Sequence, residues 1–310
     1  MTNETPKVVV LTGPTASGKS ALSTEMALYF GGEIINADSM QVYRGMDVGT
    51  AKPTIAERRD VPHHLLDVAD PAEDFNAAIY RSLAIPKLRD CASRQKISFL
   101  VGGTGLYIKS LLGGLLKCPP KDSELRETLH RAWEECGPKH LHERLKKLDP
   151  ESGLKIHQND KVRIIRALEI IHLTNRPLSS LVHGHGFKDR TFQTLKICLY
   201  MDRERLYHRI NQRSLAMIEA GLVTETEGLL SKGYSPELKP MKALGYRHMV
   251  EFLKGVYDLD EAISQLQTDT RRYAKRQLTW FRADHDMVWM RPEELDVMIK
   301  KIKAFTTDTP

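Results

Sequence analysis

Hydrophobic positions change their rhythm along this chain, and the changes mark out its elements. Lys7 to Thr12 (KVVVLT) is an almost unbroken apolar run ending at glycine, which predicts a strand buried on both faces of a parallel sheet. From Ser20 to Phe30 the period becomes helical, with Leu22, Met26 and Tyr29 on one side. Glu33 to Ala37 (EIINA) and Ile97 to Val101 (ISFLV) read as two further strands, the second running into Gly102-Gly103. Strand, helix and strand in close succession predict an α/β fold with a doubly wound parallel sheet.

At Cys118-Pro119-Pro120 the chain must turn, because two prolines cannot continue a helix. Asp122 or Ser123 can cap a helix with Leu125, Leu129 and Trp133 on its apolar side. Leu141, Leu145 and Leu148 continue the helical spacing, and Val162, Ile165 and Leu168 repeat it between Val162 and Leu173. No strand pattern occurs between about Lys117 and Gly186. The expected organisation is a first core segment, 1–116, an all-helical insertion, 117–190, and a second core segment, 191–310. His183-Gly184-His185-Gly186 reads as loop, Leu195 to Met201 as strand, and Arg203 to Gly221 as a helix with Gly221 just past its end. Glu261 to Phe281 predicts a long helix and Met287 to Met290 a last strand.

Composition narrows the class. At 41% apolar and 28% charged residues, the 310-residue chain can bury a sizeable core and is not a disordered polymer. The net charge of +6 favours an acidic partner. Cys91, Cys118, Cys136 and Cys198 are widely spread with no C-x-x-C pair, so they signal neither a zinc site nor a disulfide framework. With no leader-like start and no apolar run long enough to span a bilayer, the reading is a cytoplasmic protein without a membrane partner, acting as a monomer.

Gly13-Pro14-Thr15-Ala16-Ser17-Gly18-Lys19-Ser20 fits the phosphate-loop pattern G-x-x-x-x-G-K-[ST] between a buried strand and a helix. Backbone N–H groups and a helix N-terminus cradle an anion there, Lys19 adds a full charge, and Ser20 can ligate Mg²⁺. The loop alone leaves the phosphate's owner open, and a small-molecule or nucleotide kinase is one reading. An NTP hydrolase would carry an Asp on a second strand, whereas ISFLV ends in Gly102-Gly103-Thr104. A carboxylate stands elsewhere: Asp38 follows EIINA at the strand end where open α/β sheets place ligands.

Asp38-Ser39 is followed by Gln41 to Pro53 (QVYRGMDVGTAKP), and further along come Pro62 to Asp67 (PHHLLD), Val101 to Thr104 (VGGT), His157 to Glu169 (HQNDKVRIIRALE), Lys242 to Arg247 (KALGYR) and Thr270 to Arg282 (TRRYAKRQLTWFR). With the loop GPTASGKS, these segments resemble, in order and over nearly the whole chain, the tRNA dimethylallyltransferase family, also called tRNA isopentenyltransferases. The resemblance implies transfer of a dimethylallyl group from dimethylallyl diphosphate to the exocyclic N6 of the tRNA adenosine immediately 3′ of the anticodon, with Mg²⁺ as cofactor. It implies that Asp38, Thr104 and Arg213 are catalytic and that Gly13 to Ser20 hold the diphosphate. It further implies that Asp38, Ser39, Met40, Gln41 and Thr104 contact the flipped nucleotide. The anticodon stem-loop would be gripped by Arg126, Arg163 and Arg166 from the insertion and by Lys242, Gly245 and Arg247 from the core. Val162 stands before Arg163 where some members carry glutamine.

Other features have plainer readings. Arg271, Arg272, Lys275, Arg276 and Arg282 fall on one helical face, the usual mark of a solvated side, which the resemblance turns toward RNA. His63-His64 lack a third ligand nearby and read as structural; Trp280-Phe281 read as core.

Overall fold

The computed structural model describes residues 5–116, 118–185 and 191–307. In chain order the elements are β1 (Lys7–Thr12), α1 (Lys19–Phe30), β2 (Glu33–Asn36), α2 (Ile55–Arg58), β3 (His63–His64), α3 (Ala77–Ser93), β4 (Ser98–Gly102) and α4 (Gly105–Gly113). They continue with α5 (Ser123–Leu148), α6 (Pro150–Lys155), α7 (Lys161–Thr174), α8 (Leu178–His185), β5 (Gln193–Leu199), α9 (Arg203–Glu219), α10 (Leu222–Ser231), α11 (Tyr246–Leu253), α12 (Leu259–Arg282), β6 (Met287–Met290) and α13 (Leu295–Thr307). The chain divides into two compact units, 1–112 with 190–310 and 113–189.

The first unit is built on a six-stranded sheet in the order β3-β2-β4-β1-β5-β6, and every pairing is parallel. β1 lies near its middle and explains its own sequence. Val8 and Val10 enter the apolar cluster on one face, Val9 and Leu11 the cluster on the other. Side chains of a strand alternate between faces, so a strand covered on both sides has no polar position to spare. Each such side chain contributes about 1.5–3 kcal/mol on burial.

The second unit is helical throughout its described elements. Leu129, Leu141, Leu145, Ile164, Ile165 and Leu168 form its core. Asp122 caps α5 by accepting the Leu125 N–H at 2.9 Å. Gly137, with φ 79° ahead of Pro138, breaks α5 into two helical segments. Buried Asp149 caps α6 and also accepts the Ser152 hydroxyl at 2.6 Å and the Ser179 N–H at 2.8 Å, tying α6 to α8.

Several expectations are corrected. His183, Gly184 and His185 belong to α8 rather than a loop, while Gly186 lies outside the described residues, as do residue 117 and the segment 186–190 at the expected ends of the insertion. Val162 is 79% exposed: it stands in the first turn of α7, and the buried stripe of that helix starts at Ile164. Leu148 and Tyr29 also face solvent, and Tyr29 lies beneath Lys303 Nζ at 5.0 Å from its ring. β5 begins at Gln193, two residues before the apolar run, since its first residues sit at the sheet end where only pairing with β1 constrains them. No described helix is long and apolar enough to cross a membrane.

Candidate active site

Three loops meet at the C-terminal edge of the parallel sheet, after β1, β2 and β4. The first is residues 13–18. Gly18 has φ 91° and Ala16 φ 63°, left-handed conformations that turn successive N–H groups toward one point. α1 opens there with no acidic residue in its first turn, so its positive dipole end is unopposed. Lys19 Nζ donates to the Pro14 carbonyl at 2.8 Å and is held across the loop's mouth, and Ser20 is exposed at the start of α1. Outside the loop, Arg209 Nε donates to the Ala16 carbonyl at 2.9 Å and Arg213 Nη1 to Thr15 Oγ1 at 3.3 Å.

Asp38 stands beyond the end of β2. Its Oδ1 accepts the Met40 and Gln41 N–H groups at 2.8 and 3.3 Å, closing a tight turn. Thr104 fastens this turn to the end of β4: its N–H donates to the Ala37 carbonyl at 3.2 Å, and its Oγ1 accepts the Ser39 N–H at 2.9 Å. A Cβ on Gly102 would lie 2.2 Å from the Ala37 oxygen. This is the physical reason why β4 ends in glycine: the two strand ends touch through backbone alone, and the carboxylate is carried by β2.

The segment after Asp38 is clamped twice. Buried Lys52 donates to the Tyr43 carbonyl at 2.8 Å and pairs with Asp47 and Asp67, each at 2.5 Å. Glu225 accepts the N–H groups of Asp47, Val48 and Gly49 at 2.8–3.0 Å and the Tyr246 hydroxyl at 2.7 Å. The second clamp was not visible in the sequence, because Glu225 lies some 177 residues from the N–H groups it holds.

Together these elements enclose a cleft of about 400 Å³ whose lining includes Lys19, Asp38, Arg213, Tyr273 and Arg276. Burial, then the Arg213 charge, push the Lys19 ammonium down to about 8, with Asp38 opposing. Burial also lowers Arg213, again against Asp38, and Arg209 adds to the lowering. Burial and the Asp38 charge raise the Tyr273 phenol. Several cations thus crowd the one carboxylate of the cleft lining, an excess of positive charge suited to an anionic ligand. Asp38 and the 13–18 loop border the same cleft, so a leaving phosphate and a proton-bearing nucleophile could be held in one space.

The remaining candidates are placed as follows. Lys242 and Arg247 line the cleft as well; Lys242 pairs with Glu237 at 2.5 Å and Arg247 with Asp269, while Gly245, at φ 90°, opens α11 between them. In the second unit Arg126 makes two 2.8 Å bonds to Glu169 and Arg166 a 2.6 Å bond to the same carboxylate, whereas Arg163 is exposed beside Asp160. Of the basic stripe on α12, Arg276 lines the cleft, Arg271 donates to Asn211 at 2.7 Å and Arg272 pairs with Asp269. Phe281 is core, but Trp280 is 41% exposed, lying against the backbone of Gly105 instead of entering the core. His63-His64 form β3, and His64 Nε2 lies 2.7 Å from Glu33, which Arg94 also holds. Glu33, His64 and Cys91 make a compact donor group outside the cleft, whereas His63 borders it.

The chain is similar to known proteins over most of its length. Residues 41–284 match the family model for IPP transferase and residues 6–69 that for isopentenyl transferase. The chain is similar to a tRNA dimethylallyltransferase of Desulfosudis oleivorans, 50% identical over 93% of this chain and 92% of that protein. It is similar also to one of Geobacter metallireducens, 48% identical over 97% and 98%. Among solved structures it resembles a tRNA isopentenylpyrophosphate transferase of Bacillus halodurans, with 39% identity, a TM-score of 0.73 and 97% of each chain covered. A eukaryotic dimethylallyltransferase captured acting on tRNA shares 29% identity at a TM-score of 0.79, covering 94% of this chain and 75% of that one.

Proposed function

The chain belongs to the tRNA dimethylallyltransferase family, and on that premise we propose that its cleft moves a dimethylallyl group from dimethylallyl diphosphate to the exocyclic N6 of the tRNA adenosine immediately 3′ of the anticodon. The observation that carries this reading is the fastening of Asp38 to the β4 end through Thr104, with Lys19 and Arg213 lining the same cleft.

In this reading the loop from Gly13 to Ser20 holds the donor's diphosphate. Lys19 and Arg213 take up the negative charge that grows on it as the allylic C–O bond breaks. Asp38 accepts the proton that leaves N6 as the new C–N bond forms, and Thr104 keeps Asp38 and Ser39 in register. The flipped base would meet Asp38, Ser39, Met40 and Gln41. Lys242 and Arg247 would reach RNA from the core, Arg163 from the helical unit. Arg126 and Arg166 act there by shaping the surface, since Glu169 engages both.

The donor set at the loop suits magnesium, a hard cation that takes oxygen ligands and substrate phosphates: the Ser20 hydroxyl would hold it beside the diphosphate. When bound, the ion adds positive charge against the leaving group. We place the enzyme in the cytoplasm, acting as a monomer.

Single-turnover incubation with radiolabelled dimethylallyl diphosphate, Mg²⁺ and unmodified tRNA is expected to label the tRNA, and an A→G change at the target position to abolish the label. ATP-dependent phosphorylation of a small acceptor without tRNA labelling would overturn the proposal in favour of a kinase.

The depressed Lys19 adds a pH dependence. Its charged form is complete well below pH 8 and is lost as pH rises through about 8. Donor affinity measured by calorimetry is therefore expected to fall across that range in the parent protein. In Lys19→Met affinity should be low at every pH and flat; an unchanged affinity would remove Lys19 from the diphosphate site.

A further inference from the structure

Gln277 sits on α12, buried, far in sequence from every loop of the cleft, and no step assigned above uses it. Its side chain spans the site. Oε1 accepts the Thr15 N–H of the phosphate loop at 2.8 Å, and Nε2 donates to the Gly103 carbonyl at 3.0 Å, one residue before Thr104. The primary amide is suited to this because it offers an acceptor and donors on opposite sides of one planar group. Turning it over would set donor against donor and acceptor against acceptor, so the network fixes its orientation.

The bridge continues at both ends. Thr15 Oγ1 accepts from Arg213, and Thr104 Oγ1 accepts from Ser39, whose neighbour is Asp38. Packing closes the same joint: a Cβ on Gly103 would lie 2.2 Å from Gln277 Nε2, and one on Gly105 2.1 Å from Trp280 Nε1. Gln277 and Trp280 are one helical turn apart on α12, so one face of that helix brackets Thr104.

We infer that Gln277 is a positioning residue that sets the phosphate loop and the Asp38–Thr104 pair in register, so that the donor's reacting carbon and the accepting amine meet at bonding distance. The inference rests on the transfer reading above. Gln277 borders the cleft, and both ends of its amide are taken up by Thr15 and Gly103, through which it acts.

Reactant placement is steep in rate: a shift of about 1 Å can cost about 10²-fold. Single-turnover transfer at saturating donor and tRNA is therefore expected to slow by about 10- to 100-fold in Gln277→Ala, while calorimetric affinity for dimethylallyl diphosphate stays within about threefold. Gln277→Glu keeps the shape and supplies a second readout. Its ionised carboxylate cannot donate to Gly103, but its neutral carboxyl has one donor and one acceptor, as the amide does. Burial at this position raises a carboxyl above its ordinary range, so the ratio of its rate to the parent's is expected to rise as pH falls from about 8 to about 5. A purely structural staple would weaken donor affinity along with the rate, whereas a positioning role confines the loss to the rate. A flat ratio, or a Gln277→Ala rate within about twofold of the parent, overturns the inference alone. Absence of tRNA labelling by the parent protein overturns the transfer reading and this inference with it.

Discussion

Replacing Asp38 by asparagine is expected to lower the single-turnover rate of prenyl transfer by about 10²–10⁴-fold at neutral pH, the range typical of a lost general base. Asparagine is the informative choice. Its Oδ1 can still accept the Met40 and Gln41 N–H groups, so the turn after β2 is kept and only the basic carboxylate is lost. A second consequence follows from charge. Asp38 opposes the effects that lower Lys19 and Arg213, so neutralising it should move Lys19 below about 8 and shift the pH dependence of donor binding downward. The rate must therefore be read at saturating donor. A loss of less than tenfold there would take Asp38 out of proton transfer. Asp38→Ala, which also frees the two N–H groups, is expected to lose more and to weaken the loop besides.

How much of this site could be read in advance depends on where its determinants lie along the chain. β1 and the phosphate loop were legible because each constraint is local: a strand covered on both faces demands an apolar run, and a backbone curled around an anion demands glycines and a lysine at fixed spacing. Asp38 was legible through its place at a strand end. β3 was not, since two residues carry no period. Nor was α8, where Gly184 and the flanking histidines look like turn material, although Ser179 is held by Asp149 from another helix. Glu225 and Gln277 are the extreme cases. Each is an ordinary polar residue on an amphipathic helix, and its role appears only when a backbone about 180 or 260 residues away arrives beside it. The same logic explains Arg126: family resemblance points it at RNA, while tertiary packing turns it onto Glu169.

That buried carboxylate carries the largest stability effect expected of the helical unit. Glu169 is fully buried between Arg126 and Arg166 and also accepts the Asp122 N–H at 2.9 Å, at the head of α5. Burial would raise its carboxyl, but the two guanidinium groups and the N–H outweigh burial and hold it down at about 2, against an ordinary 4.5. Removing Glu169 leaves the Asp122 N–H and two partly exposed guanidinium groups without their acceptor, a loss of about 1–3 kcal/mol. Glu169→Ala is therefore expected to reduce hydrogen-exchange protection of the α5 and α7 peptides by about 5- to 150-fold, the factor that about 1–3 kcal/mol implies. Peptides of the sheet, in the other unit, serve as the internal reference. The sign of the pH effect follows from the depressed carboxyl. Its stabilising contribution is complete above about 4.5 and is lost as pH falls toward about 2. In the parent protein, protection of the helical unit should decline across that window; in Glu169→Gln, already weakened, it should change less there. Equal protection in parent and Glu169→Ala would mean that Arg126 and Arg166 find other partners at no cost, and both would then return as free cations for RNA.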